Sequence, residues 1–335
     1  MFFPIMICGL FFFIPILLLH TFDAAFAIPL PQFTTWQYPN KIIELPDEQE
    51  SERLYVIGFE IAKRPEHHTR TYFRAKAPST MIPLSIIYKE GTPLNGKNVC
   101  MMESYGAYGS PMMPSFSTRR NSLATKGVVI AIPHVRGGNE KGDAWYKAGY
   151  KTTKPNTWKD FISCAEYLIE NGYTSADKLA GTGTSAGGIL ITRSITERPD
   201  LFAAAVCNVG CANVMRQEFG ANGPANTPEF GTVKDSVECK ALFEMDGVQH
   251  VVEGTKYPAI LGVGGYNDPR VMVWQPGKFV AAAQKASTSG RPVLLKINYD
   301  NGHFTQDRDV TYANFADQYA FMMWQCGHPL FQPQK

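Results

Sequence analysis

The sequence predicts an α/β fold: a mainly parallel sheet with helices on both faces and a short β-rich appendage at the N-terminus. Three observations predict it. Apolar runs that read as strands alternate with stretches of helical spacing, the order expected of a parallel sheet whose strands are joined by crossover helices. The run Leu179-Ala180-Gly181-Thr182 breaks into Gly183-Thr184-Ser185-Ala186-Gly187-Gly188 and resumes at once as Ile189-Leu190-Ile191-Thr192, a strand, a glycine-rich turn and a helix with no spacer. Farther along, an aspartate and then a histidine each stand just past an apolar run, at the edge where open α/β sheets bind ligands.

Short apolar runs predict strands over 84–89, 99–103 and 127–133. Residues 158–171 predict a helix, because Phe161, Cys164, Ala165, Leu168 and Ile169 recur at helical spacing and Asn171-Gly172 supplies a stop. The glycine-rich turn joins a strand over 178–181 to a helix that begins at Ala186. A strand over 202–209, a strand over 257–264 bounded by Pro258 and Gly264, and a helix over 276–287 come next. A strand over 293–299 and a helix over 310–326 complete the order. Upstream, 54–59 and 71–74 read as two further strands.

The Gly-x-Ser-x-Gly turn carries the chemistry. In such a turn a strand ends, the serine takes a strained backbone and a helix starts, so Gly183 and Gly187 have almost no room for side chains. The Ser185 hydroxyl then rises above the sheet, and the Ala186 N–H at the helix start is placed to stabilise a developing oxyanion. Asn267-Asp268-Pro269-Arg270 follows the strand at 257–264, and Asp300-Asn301-Gly302-His303 follows the strand at 293–299. Serine, acid and histidine thus come in the chain order of an α/β-hydrolase. A serine hydroxyl needs an imidazole to take its proton, and the imidazole needs a carboxylate on its other nitrogen to hold the tautomer. Each residue also has an ordinary explanation: a glycine turn with an incidental serine, an Asp-Pro turn, a solvated loop histidine. Three groups arriving in that order at successive strand ends favour the hydrolase. Tyr105, in the turn Tyr105-Gly106-Ala107-Tyr108-Gly109, either donates its phenol over the elbow or packs; Arg270 is open to a surface ion pair, and His134 reads as a structural histidine.

From about Ala77 to the C-terminus the chain resembles the prolyl oligopeptidase family of serine peptidases, in its α/β-hydrolase catalytic domain. The resemblance is carried by Tyr105-Gly106-Ala107-Tyr108-Gly109 and by His134-Val135-Arg136-Gly137-Gly138-Asn139-Glu140 with Gly142 and Trp145. It continues in Asp160-Phe161-Ile162 with Ala165-Glu166-Tyr167-Leu168-Ile169, in Gly183 to Gly188, and in Arg198-Pro199-Asp200-Leu201-Phe202. Asn267-Asp268-Pro269-Arg270-Val271 and Gly302-His303 close the series. The resemblance implies Ser185 as nucleophile, His303 as general base and Asp268 as its orienting carboxylate. It also implies that the Tyr105 hydroxyl joins the Ala186 N–H in an oxyanion hole and that Arg270 holds a carbonyl of the bound peptide.

The chain departs from the family pattern in places. Phe304 follows the histidine where the family generally has another glycine, and the tryptophan that stacks on proline in well-known members has no counterpart, Asn226 lying near its place. Tyr108, Phe230 and Val271 fall at other pocket positions of the family and imply an apolar substrate pocket with a leaning to proline. Glu229 is the candidate to attract a basic side chain instead, as in related oligopeptidases that cut after Lys or Arg. The family usually carries a seven-bladed propeller ahead of the hydrolase, and one blade needs about 40–45 residues. Residues 28–76 leave room for a linker or one remnant blade, so 77–335 is expected to be the catalytic domain, with the surface that a propeller covers open to self-association.

Residues 2–19 are almost wholly apolar and Ala25-Phe26-Ala27 offers a small-x-small cleavage site, so 1–27 read as a secretory signal peptide and the protein as secreted or periplasmic. A retained membrane anchor through 2–19 is the competing reading, weakened by Pro4, Gly9 and Pro15; after cleavage no stable membrane association is expected. The 335-residue chain carries a net charge of +2 and no Lys/Arg cluster, which argues against nucleic acid as a partner. Its seven cysteines show no Cys-x-x-Cys or Cys/His ligand spacing, so neither a metal site nor a cofactor is implied. The expected function is a serine hydrolase that cleaves short peptides through an acyl-enzyme. The alternatives are a carboxylesterase built on the same elbow and triad, and an inactive truncated relative that acts as a binding domain.

Overall fold

The computed structural model describes residues 80–333, together with the backbone of strands β1 (Ile43–Glu44) and β2 (Leu54–Lys63). The signal-peptide segment 1–27 and the strand expected at 71–74 lie outside the described residues. Seven more strands follow: β3 (Met81–Lys89), β4 (Cys100–Ser104), β5 (Val129–Pro133), β6 (Leu179–Thr184), β7 (Ala204–Asn208), β8 (Ala259–Gly265) and β9 (Val293–Asn298). They form one sheet in the order β1-β2-β3-β5-β4-β6-β7-β8-β9. From β5 to β9 every pairing is parallel, and β1, β2 and β3 extend the β5 edge antiparallel.

Parallel strands covered on both faces should be apolar throughout rather than alternating. β5 (Val-Ile-Ala-Ile-Pro), β7 and β8 are buried at every position. Helices α3 (Pro155–Glu170), α4 (Gly187–Glu197) and α7 (Trp274–Ala286) close one face, with Phe161, Leu190 and Phe279 in a shared core. Helices α1 (Thr118–Ala124) and α8 (Arg308–Gln325) close the other, where Leu123, Phe321 and Met322 pack on Ile130, Val206 and Leu261. The α/β fold with helices on both faces is therefore as the alternation predicts. Among the described residues six cysteines are free thiols, five of them buried as small hydrophobes.

Three shorter helices escape the periodicity argument: α2 (Asp143–Lys147), α5 (Thr227–Phe230) and α6 (Ser236–Met245), as does α1. The first two are too short to show a repeat. α6 does carry a start signal, since Asp235 caps it by accepting the N–H groups of Val237 and Glu238, each at 2.9 Å.

One feature of the topology positions the site. The chain runs from β4 outward to β5 and then returns to β6 on the other side of β4, so the strand order reverses there, and such a point leaves a crevice at the carboxyl ends of the strands. Ser104 at the end of β4 is paired with Gly183 near the end of β6. Tyr105 and Ser185 therefore leave the sheet side by side.

Candidate active site

Ser185 sits between β6 and α4 with φ of +57°, a left-handed conformation that strains a side-chain-bearing residue by roughly 1–3 kcal/mol. The surroundings hold it there. Its N–H donates to the Asn208 carbonyl at 3.0 Å, and its carbonyl accepts from Gly188 at 2.9 Å and Cys211 at 2.8 Å. The turn also requires glycine by contact: a Cβ on Gly183 would stand 2.1 Å from the Gly187 carbonyl oxygen, and one on Gly188 would stand 2.5 Å from the Cys211 nitrogen.

Asp268 follows β8 and His303 follows β9, and both loops turn toward Ser185. His303 Nδ1 lies 2.6 Å from Asp268 Oδ2, and its Nε2 lies 2.9 Å from Ser185 Oγ. A carboxylate only accepts, so Nδ1 carries the proton and Nε2 is left with a lone pair facing the serine hydroxyl. The second Asp268 oxygen accepts the N–H groups of Arg270 at 2.8 Å and Val271 at 2.9 Å, which fixes the carboxylate from its own loop. Both side chains are shielded, with Asp268 4% and His303 8% exposed. Phe304 does not disturb the histidine. Its ring packs on the imidazole edge with centroids 4.4 Å apart while the rest of it is open to solvent.

The Tyr105 phenol is pushed up to about 12, chiefly by burial, with the Ser185 side chain beside it pulling the other way. It therefore remains a donor through the neutral range. Ala186 stands at the start of α4, where the first N–H groups of a helix have no partner within it. A cavity of about 580 Å³ opens at this point, lined by Tyr105, Tyr108, Ser185, Ala186, Arg270 and Val271 on the triad side. Gln217, Asn222, Ala225 and Asn226 close the opposite side. The Arg270 side chain is exposed on this rim and forms no ion pair among the described residues.

Two expected pocket residues stand differently. Phe230 is only 2% exposed and is not part of the cavity wall; it backs Tyr108, edge to face, with ring centroids 5.4 Å apart. Glu229 is buried and turned inward, accepting the Tyr108 N–H at 2.7 Å and the Tyr146 hydroxyl at 2.6 Å. Asn226 does lie on the wall, where it accepts the Tyr108 hydroxyl at 2.7 Å. Gln217 and Asn222 on the far wall follow from no motif, because their loop shows no pattern before it is folded over the site. His134 is wholly buried, 2.8 Å from the Ser85 hydroxyl through Nε2, with its carbonyl accepting Trp145 Nε1 at 3.2 Å. It is structural.

Several known proteins are similar to this chain. A prolyl endopeptidase from Elizabethkingia meningoseptica is 33% identical over 266 residues, 78% of this chain and 38% of that protein. Protease 2 from Moraxella lacunata is 33% identical over 249 residues, 73% of this chain and 36% of that protein. The chain thus spans less than two fifths of the length of these curated relatives. Oligopeptidase B from Leishmania major superposes with a TM-score of 0.75 at 32% identity, covering 82% of this chain and 37% of that one. A family model for type VI secretion system TssN matches residues 1–84, most of them outside the described residues. The model of the prolyl oligopeptidase family matches residues 114–329, from the approach to α1 to just beyond α8 and including Ser185, Asp268 and His303, and the chain belongs to that family.

Proposed function

We propose that this chain is a serine peptidase that cleaves short peptides through an acyl-enzyme. The observation that carries the reading is the hydrogen-bonded line Asp268–His303–Ser185 ending at the wall of a cavity. In the proposed reaction Ser185 Oγ attacks the scissile carbonyl while its proton passes to His303 Nε2. The new C–O bond leaves negative charge on the former carbonyl oxygen, which the Tyr105 hydroxyl and the Ala186 N–H receive. Collapse breaks the C–N bond, the amine leaves with the proton from His303, and the acyl group stays on Oγ until water repeats the sequence. Asp268 stays ionised and stabilises the imidazolium while it lasts. The exposed Arg270 guanidinium on the cavity rim is suited to a carbonyl of the substrate backbone.

Tyr108, Val271 and Ala225 give the cavity apolar surface, and this supports a leaning to a compact apolar residue such as proline before the cleaved bond. The inward engagement of Glu229 speaks against a basic residue there. The leader-like segment 1–27 supports export, after which the enzyme would work on extracytoplasmic peptides.

A fluorophosphonate probe tests the reading, because it labels only an activated serine. Wild type should label and Ser185→Ala should not, while keeping its circular dichroism and melting behaviour. Labelling that survives in the variant would place the nucleophile elsewhere. Turnover of a Pro-linked peptide amide against a short acyl ester then separates a peptidase from a carboxylesterase.

A further inference from the structure

The turn that presents Tyr105 is held from behind by two buried charges far apart in the sequence. Lys154, the residue before α3, is 1% exposed, and its ammonium donates a hydrogen bond to the Gly106 carbonyl. Glu229, on α5, accepts the Tyr108 N–H through an oxygen that also stands 4.0 Å from Lys154 Nζ, and its other oxygen takes the Tyr146 hydroxyl. The pair grips Gly106 and Tyr108, whose φ values of +66° and +57° are held by the fold. Space around the turn is tight: a Cβ on Gly106 would lie 2.4 Å from Thr157 Cγ2, and one on Gly137 would lie 2.2 Å from the Gly106 oxygen. Lys154 Nζ also lies 5.4 Å from the centroid of Phe230, the ring that backs Tyr108. Neither charge lines the cavity, so neither touches the reacting atoms.

We propose that Lys154 and Glu229 form a positioning clamp that holds the Tyr105–Tyr108 turn where the Tyr105 hydroxyl meets the oxyanion formed at Ser185. The clamp rests on the peptidase reading above and adds two positioning residues to it. The groups that face it are the Cys211 thiol after β7, the phenols of Tyr105 and Tyr108 on the turn, and Tyr146 on α2, with Arg270 beyond Tyr105. Burial pushes that thiol and those phenols up, Tyr105 to about 12. Lys154 moves the other way, down to about 8, with burial as the cause and the Glu229 charge opposing it. Above that point the ammonium becomes an amine, the counter-charge of Glu229 is lost, and the hold on Gly106 weakens.

Global stability responds with the opposite sign. The unfolded chain keeps this proton up to the ordinary lysine value of 10.5, so between about 8 and 10.5 the unfolded state binds more protons and this group alone makes the fold gain stability as pH rises. A fall in kcat over that window without a fall in Tm therefore separates positioning from unfolding.

The experiment follows kcat, KM and Tm from about pH 6 to about pH 10 on a peptide amide with an uncharged residue before the cleaved bond, for wild type, Lys154→Met and Glu229→Gln. Wild-type kcat should fall above about pH 8 with Tm maintained. Lys154→Met should lose about tenfold or more in kcat at neutral pH and show no such limb. In Glu229→Gln the amide still accepts the Tyr108 N–H, but the charge that favours the ammonium is gone, so the limb should move to lower pH. Should Lys154→Met not fold, that displacement decides alone. A limb in the same place in Glu229→Gln, or wild-type kcat in a folded Lys154→Met, overturns the clamp. Wild type that neither labels with the fluorophosphonate nor turns over overturns the peptidase reading itself, and with it the clamp.

Discussion

Asp268 holds His303 with one carboxylate oxygen and its own loop with the other: Oδ2 stands 2.6 Å from His303 Nδ1, while Oδ1 accepts the N–H groups of Arg270 and Val271. The two functions of this side chain, orienting the imidazole and bracing the loop, are therefore separable by substitution. Asp268→Asn keeps an oxygen for the backbone N–H groups and presents an NH₂ to the imidazole. Nδ1 must then accept, the proton moves to Nε2, and Nε2 no longer accepts from Ser185. The expected outcome is a loss of about 10⁴ in kcat with Tm nearly unchanged, checked by steady-state kinetics and calorimetry. A comparable drop in Tm would show that the carboxylate is structural first.

Tyr105 offers a narrower test of charge stabilisation. Its hydroxyl is the only atom that Tyr105→Phe removes, and the donor acts on an oxygen that carries full charge only in the transition state. The variant should lose about 10²-fold in kcat and little in KM. A change confined to KM would mean that the phenol binds substrate and does not serve the oxyanion. Since burial holds this phenol up at about 12, it should contribute no loss of rate below that range, which leaves the alkaline region near pH 8 free to report on Lys154.

The strands and the triad were legible in the sequence for a physical reason. Buried parallel strands are continuous apolar runs, and a Gly-x-Ser-x-Gly turn constrains its neighbours so tightly that the pattern survives in the residue types alone. Strand ends were less so. β6 runs on through Gly183 and Thr184 because Cys207 and Asn208 offer them partners, and pairing across a sheet is not visible along one chain. The pocket shows the same limit more sharply. Tyr108 in its turn and Phe230 at the end of α5 are both aromatic, yet one lines the cavity and the other backs it, a difference decided only by how the turn and the helix meet. Lys154 and Glu229 carry no local signal of each other. From the sequence Glu229 is a candidate to attract a basic side chain of the substrate, and nothing local marks Lys154 as its partner until tertiary contact buries the two together.

Arg270 should act on binding more than on folding. Its backbone N–H braces Asp268, and any residue supplies that, while its guanidinium is exposed at the cavity rim without an ion pair among the described residues. Arg270→Ala should therefore leave the stability within about 0.5 kcal/mol of wild type. The loss of a charge-assisted hydrogen bond to a substrate carbonyl should lower kcat/KM roughly tenfold to a hundredfold on a peptide long enough to reach it. On a substrate with only one residue before the cleaved bond the two proteins should differ much less. Equal losses on both substrates would remove the carbonyl contact from the account.

Two glycines in the same sheet-and-helix layer should respond oppositely to alanine. At Gly183 the added Cβ would lie 2.1 Å from the Gly187 carbonyl oxygen, a backbone atom with no freedom to retreat because it belongs to the first turn of α4. The elbow must open to admit it, which displaces Ser185 from His303, so Gly183→Ala should lose both Tm and fluorophosphonate labelling. At Gly277, inside α7, the added Cβ meets only Leu295 Cδ2 at 3.8 Å, an ordinary contact. There the substitution removes backbone freedom from the unfolded chain and improves helix propensity, so Gly277→Ala should gain about 0.5–1 kcal/mol, a rise of roughly 1–4 °C in Tm, with kcat and labelling unchanged. Thermal melts of the two variants beside wild type, each paired with a labelling assay, check both signs. Loss of labelling in a Gly277→Ala protein that melts higher than wild type would mean that α7 is coupled to the triad through β8, and that the elbow is not the only rigid support of Ser185.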